Sequence, residues 1–171
     1  QYDSYFIKAI PVVLNEDVTF VSGFDVDGYY QIKPDFIKVI GAKAAIDSIV
    51  QIETMPFALN DINSDINTSI NLKLPKNNPD IKYSENIVNV TGSVKKFTEG
   101  SLLVPVVVTN LPENVNLNYF PKEIEVTFYS SLDYYKTIST NSFRIECDYS
   151  KLDTENNKLL PVITKQPEKV R

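Results

Sequence analysis

The sequence predicts an all-β protein with minor helix, organised as two small tandem modules of short, curved strands. Three observations predict this. β-Branched and aromatic residues dominate, with 18 Val, 17 Ile, 10 Tyr and 9 Phe among 171 residues, and such side chains favour strands. Apolar residues recur mostly at every second position, the period of a half-buried strand. The order of motifs in the first half of the chain returns in the second.

In chain order, residues 5–14 read as a strand broken by Pro11. Val18, Phe20 and the run Ser22-Gly23-Phe24 form a second short stretch, and Ile37-Lys38-Val39 continues the alternation after Pro34. From 42 to 49 the pattern changes. Ala42, Ala45, Ile46 and Ile49 fall at helical spacing with no Pro or Gly between them, which predicts a two-turn helix. Residues 50–53 and 57–59 return to strand character, and Asp61-Ile62-Asn63-Ser64 reads as a turn. The run Ile70-Asn71-Leu72-Lys73-Leu74 alternates and stops at Pro75. Residues 87–94 alternate again, with Gly92 as an expected bulge.

Gly100 then reads as a break, after which the pattern restarts. Leu103-Val104-Pro105-Val106-Val107-Val108 repeats Ala9-Ile10-Pro11-Val12-Val13-Leu14. A proline in a strand lacks a donor, so each opening strand should be an edge or locally unpaired there. Pro121-Lys122-Glu123-Ile124-Glu125-Val126 matches Pro34-Asp35-Phe36-Ile37-Lys38-Val39, and residues 130–138 match the helix at 42–49. Phe143-Arg144-Ile145 with Asp148 and Ser150 aligns with Phe57-Ala58-Leu59, Asp61 and Ser64. Leu159-Leu160-Pro161 aligns with Leu72-Lys73-Leu74-Pro75. The expected domains are therefore 1–97 and 98–171, joined by a short linker near 97–100. The second copy has no counterpart of the strand at 87–94, so the parent protein is expected to continue with one more alternating strand.

Composition excludes several chemistries. There is no His, so no Ser-His or Cys-His pair and no His-ligated metal is available. Cys147 is the single cysteine, which rules out an internal disulfide or a thiolate cluster. The net charge is −5, with basic residues spread singly apart from Lys95-Lys96. A phosphate-binding surface needs clustered cations, so nucleic acid is not an expected partner. The acids outnumber the bases in both copies, so neither is specialised for a charged ligand. No apolar run approaches the roughly 20 residues of a membrane span. The chain opens on Gln1 rather than Met and reads as a segment of a longer protein.

The repeated motifs resemble the YbbR repeat family. The resemblance rests on the Pro-bearing opening strands around Pro11 and Pro105, the latter followed by Asn110-Leu111-Pro112. It rests equally on the runs from Pro34 through Gly41 and from Pro121 through Val126, on the short helices ending in Ile49 and Ile138, and on the Asp61–Ser64 and Asp148–Ser150 turns. The run Pro121-Lys122-Glu123-Ile124-Glu125-Val126-Thr127 is similar to versions from the Bacteroidetes. One departure is that Phe128 stands near the position matching Gly41. The resemblance implies a β-cradle module and a non-enzymatic protein, with no catalytic, cofactor or metal residues to carry over. It also implies an extracytoplasmic location and an N-terminal membrane helix outside this segment. Membrane-anchored relatives in Firmicutes regulate a diadenylate cyclase, the enzyme that makes cyclic di-AMP.

Other candidates have plainer readings. Asp25-Val26-Asp27-Gly28 resembles the middle of a calcium loop, but the positions that should hold its outer acids hold Gly23 and Pro34, so a hairpin turn is expected. Glu146, Asp148, Asp153 and Glu155 crowd the second copy without being reproduced in the first, and alternation sets Glu146 and Asp148 beside Arg144 on a solvated face. In Tyr29-Tyr30 and Tyr134-Tyr135, one ring of each pair should face the core. Phe143, Ile145 and Cys147 share a strand face, which predicts a buried, inert thiol. Ser93-Val94-Lys95 reads as surface alternation, and the Asn67 and Asn89 sequons matter only in a eukaryotic secretory setting.

The expected function is a non-catalytic module pair acting through protein–protein contact, with regulation of a membrane cyclase as its sharpest form. The alternative is a module that binds cell-envelope glycan or mediates adhesion. The partner-binding residues and the oligomeric state are not fixed by these patterns.

Overall fold

The computed structural model describes residues 4–171. The all-β expectation with minor helix holds: strands dominate and the two α-helices are one turn each. The chain divides into two compact units, unit 1 over Gln1–Lys95 and unit 2 over Lys96–Arg171.

Unit 1 contains β1 (Tyr5–Val13), β2 (Glu16–Phe20), β3 (Phe24–Val26), β4 (Gln31–Lys33) and β5 (Phe36–Ala42). These are followed by α1 (Lys43–Ile46), β6 (Ile52–Glu53), β7 (Phe57–Ile62), β8 (Ile66–Asn71), β9 (Lys82–Tyr83) and β10 (Ile87–Gly92). One sheet has the order β6-β1-β5-β9, a second β4-β10-β8, and β2 pairs with β7. Alternation in β1, β5 and β10 sends Ile10, Val12, Ile37, Val39, Val88 and Val90 into one core cluster, joined by Ile46, Ile52, Ile70 and Leu72.

β11 (Val94–Thr109) starts at the end of unit 1 and runs on into unit 2, where it joins β12 (Glu123–Ser131), β13 (Arg144–Asp148) and β14 (Pro161–Lys165) in the order β12-β11-β13-β14, with α2 (Leu132–Tyr135) following β12. The core of unit 2 is Val104, Val106, Val126, Phe128, Phe143, Ile145 and Cys147.

The opening strand behaves alike in the two units. β1 pairs antiparallel with β5 as far as Pro11↔Phe36, then parallel with β6 from Val12↔Ile52. β11 pairs antiparallel with β12 as far as Pro105↔Glu123, then parallel with β13 from Val106↔Ile145. Neither proline breaks its strand. The next amide points toward the antiparallel partner, Val12 N–H donating to Asp35 O at 2.8 Å and Val106 N–H to Lys122 O at 2.9 Å. Amides alternate in direction along a strand, so the proline nitrogen faces the side where the parallel partner has not yet begun. Pro34 and Pro121 both follow cis peptide bonds.

Several local expectations are corrected. The helices span one turn rather than two. A helix this short depends on tertiary packing, and α1 buries only Ile46, while α2 is held by Ser131 Oγ accepting from the Tyr134 amide at 3.3 Å. Gly92 is not a bulge: it pairs regularly with Ile66. A Cβ there would lie 2.8 Å from the Tyr30 ring, so the glycine is needed for close approach. Gly100 is not a break but sits inside β11 opposite Phe128.

The expected match between Phe57-Ala58-Leu59 and Phe143-Arg144-Ile145 also fails. Ile52 takes the place on β1 that Ile145 takes on β11, whereas Phe57 pairs with Glu16 on β2. Likewise Leu72 bridges Thr54 where Pro161 faces Cys147. The Asp148 turn has no twin at Asp61, which lies within β7 at φ +53°.

Candidate functional site

The acidic residues of unit 2 hold the fold locally. Asp148 Oδ1 accepts from the Ser150 hydroxyl at 2.6 Å, from the Asn110 side-chain amide at 2.9 Å and from the Ser150 backbone N–H at 3.0 Å. Those hydrogen bonds, the Ser150 hydroxyl first, hold its carboxyl below the usual aspartate range. Asp153 closes the next turn, accepting from the Asn156 side chain at 2.9 Å and from the Glu155 amide at 3.0 Å, and its carboxyl is lowered for the same reason. Glu146 pairs with Arg144. These carboxylates therefore stabilise turns and a strand surface instead of converging on one reacting atom.

A depressed folded-state value means that Asp148 contributes stability above its unfolded value. That contribution is lost only as pH falls through the lower folded value. In an NMR titration, the Asp148 side chain should therefore reach its midpoint below that of an ordinary aspartate, and Ser150→Ala should raise the midpoint. An unshifted midpoint in both proteins would remove this account of the turn.

In unit 1, Asp27 pairs with Lys95 Nζ at 3.0 Å, and Asp25 Oδ1 accepts from the Val26 amide at 2.7 Å. Gly28 sits at φ +80°, as a turn glycine does. Asp65 Oδ1 accepts from the Val94 amide at 2.8 Å. A hollow of about 400 Å³ lies between Asp27, Gln31, Asp65 and Thr91, and both of its acids already have these partners. Among the described residues, no three His, Cys, Asp or Glu side chains lie together as a metal site. Tyr30 packs on the core while Tyr29 is 95% exposed, which matches the alternation read from the sequence.

Cys147 is buried beside Phe143 and Ile145, and burial pushes its thiol up. It also lines a groove that residue patterns did not reveal. The groove encloses about 620 Å³ and is lined by Val106, Val108 and Cys147 together with residues 115–121 and 157–159. Tyr119 reaches back to donate its hydroxyl proton to Val106 O at 3.1 Å. The lining is apolar and amide-bearing, with Lys158 its single charged side chain. Such a surface suits a neutral polypeptide or other uncharged apolar matter better than an ionic ligand.

No family model and no curated protein matches the chain. Two solved structures are similar to it. SuR18C from Streptococcus thermophilus, determined in solution, is 20% identical with a TM-score of 0.41, over 54% of this chain and 86% of that one. The crystal structure of a YbbR-like protein from Streptococcus pneumoniae is 15% identical with a TM-score of 0.42, over 96% of this chain and 92% of that one. Among the described residues, no helix is long and apolar enough to cross a membrane.

Proposed function

We propose that the chain is a pair of non-catalytic YbbR-like β modules, two copies of one unit, from the extracytoplasmic part of a membrane-anchored bacterial protein. It acts through protein–protein contact, and its sharpest form is regulation of a membrane diadenylate cyclase. The observation that carries this reading is the repeated ladder. In each unit a Pro-bearing strand leaves an antiparallel partner at the proline and gains a parallel partner at the next residue. The same motifs carry the sequence resemblance. The carboxylates hold turns, the thiol belongs to the core, and Tyr29 and Tyr30 divide between surface and core, which supports a recognition role over a chemical one.

The test is co-expression of the membrane-anchored parent with the diadenylate cyclase of its source, with cyclic di-AMP measured in the cells. A level changed by the parent, and unchanged by a parent lacking these two modules, is the expected result. A level indifferent to the parent at equal cyclase abundance would overturn the regulatory form.

A further inference from the structure

The sheet of β4, β10 and β8 turns one face to the core and the other to solvent. Val88 and Val90 of β10 point inward, each 1% exposed. Alternation sends Thr91 outward. The register sets Thr91 directly between Gln31 of β4 and Asn67 of β8. Three polar side chains therefore form one row, their Cβ atoms roughly 5 Å apart on neighbouring strands. This row lines the hollow of about 400 Å³ in unit 1. Two carboxylates stand beside it in fixed orientations. The Val94 amide holds Asp65 Oδ1 at 2.8 Å, and Lys95 holds Asp27 Oδ2 at 3.0 Å, so one oxygen of each carboxylate lies outside these bonds. Tyr29 lines the same hollow. Its backbone is set between the positive-φ turn at Gly28 and Tyr30, which packs on the core, while Tyr29 itself is 95% exposed.

We propose that this hollow binds a neutral saccharide, with the Tyr29 ring stacked on the apolar face of one sugar ring and the Gln31–Thr91–Asn67 row hydrogen-bonded to its hydroxyls. The donor and acceptor types select this ligand. Gln31 and Asn67 each offer a carbonyl and an NH2 group, Thr91 offers a hydroxyl, and the outlying carboxylate oxygens accept. Sugar hydroxyls donate and accept from one atom, so they match a mixed array that a purely accepting or purely donating ligand does not. Charge excludes anions: two carboxylates against one lysine leave the hollow negative, which repels a phosphate, sulfate or uronate. Topology excludes an added peptide strand. β10 is paired on both sides, by β4 and by β8, so this face presents side chains and no open edge. The Tyr29 ring buries almost nothing within the fold. At the rim of a polar hollow it supplies the apolar surface that the C–H face of a sugar ring requires. The site is a second binding activity beside protein contact, and it does not depend on reading the two units as copies.

The probes are two neutral saccharides, chitotetraose and cellotetraose, and the anionic tetragalacturonate. Each is titrated against the isotope-labelled 171-residue chain and followed by NMR. At least one neutral saccharide should bind saturably with a dissociation constant of about 5 mM or tighter. It should move the backbone signals of residues 27–31, 65–67 and 91–93 and the side-chain amides of Gln31 and Asn67, and tetragalacturonate should move none of them. Tyr29→Ala and Asn67→Ala, both at exposed positions, should each weaken binding at least tenfold. Tyr5→Ala is the control: Tyr5 is 68% exposed but does not line the hollow, and its loss should leave binding unchanged. No saturable shift in these residues with either neutral saccharide up to about 10 mM would overturn the proposal. So would binding that survives both Tyr29→Ala and Asn67→Ala, or equal binding of tetragalacturonate. None of these outcomes touches the cyclic di-AMP measurement, so the two readings fall separately.

Discussion

Gly100→Ala is expected to destabilise unit 2 by about 1–3 kcal/mol, the usual cost of forcing extra atoms into a packed site. Roughly 4 °C or more of the melting midpoint should go with it for a unit of this size. A Cβ at residue 100 would lie 2.5 Å from Phe128 Cζ and 2.6 Å from Tyr135 Cε2. Tyr135, 42% exposed, can turn outward, but the Phe128 ring has no room to give way. Phe128 packs against Tyr135 at 5.9 Å and against Phe143 at 5.7 Å between ring centroids, and it is buried in the core. Phe128→Leu in the Gly100→Ala background removes the ring edge, so the double variant should lose less than the two single losses combined. Leu103→Ala on the same strand is the control, since Leu103 is 56% exposed and should shift stability by less than about 0.5 kcal/mol. Thermal unfolding followed by circular dichroism checks all four. A Gly100→Ala protein as stable as the parent would show that the rings are not held as described.

The same register bears on a departure noted between the two halves of the sequence. Unit 1 has Gly41 where unit 2 has Phe128, a mismatch when each strand is read alone. Across the ladder the mismatch resolves: Phe6 faces Gly41 in unit 1, and Gly100 faces Phe128 in unit 2. Each unit sets one glycine against one phenylalanine, with the strands exchanged. Sequence periodicity could not show this, because it carries no information about which residues face each other.

Strand content, the opening prolines and the buried thiol were legible because each depends on neighbours within a few residues. Ile37, Val39, Val88 and Val90 were placed correctly by alternation alone. The centre of the modules was not. Val50-Gln51-Ile52 and Phe57-Ala58-Leu59 both present apolar residues at period two, and only the β1 ladder decides that Ile52 is the counterpart of Ile145. The groove was less legible still. Its walls come from residues 118–120 and 157–159, far apart in the chain, and its character depends on a strand that unit 1 has between them.

That difference sets the second large expectation, Ile10→Ala, which should cost unit 1 about 2–5 kcal/mol. Ile10 is 0% exposed and faces Ile37 across the ladder, and it shares a core cluster with Val88 and Val90. Truncation to alanine removes three carbons. The transfer loss alone is about 2.4 kcal/mol at roughly 0.8 kcal/mol per methylene. With β10 covering the cluster, collapse around the gap is limited and a cavity term adds to the transfer loss. Val106→Ala in unit 2 should behave differently. Val106 is as buried as Val12, 7% exposed each, but it lines the groove and Tyr119 already reaches over it, so the ring can settle into the space left by two carbons and the cost should stay near the transfer term of about 1.6 kcal/mol. Val12→Ala, at the matching position of unit 1, removes the same two carbons under the cover of β10 and should therefore cost more than Val106→Ala. Chemical denaturation of the three variants decides the point. Equal losses for Val12→Ala and Val106→Ala would mean that the groove leaves the core of unit 2 as tightly closed as β10 leaves that of unit 1.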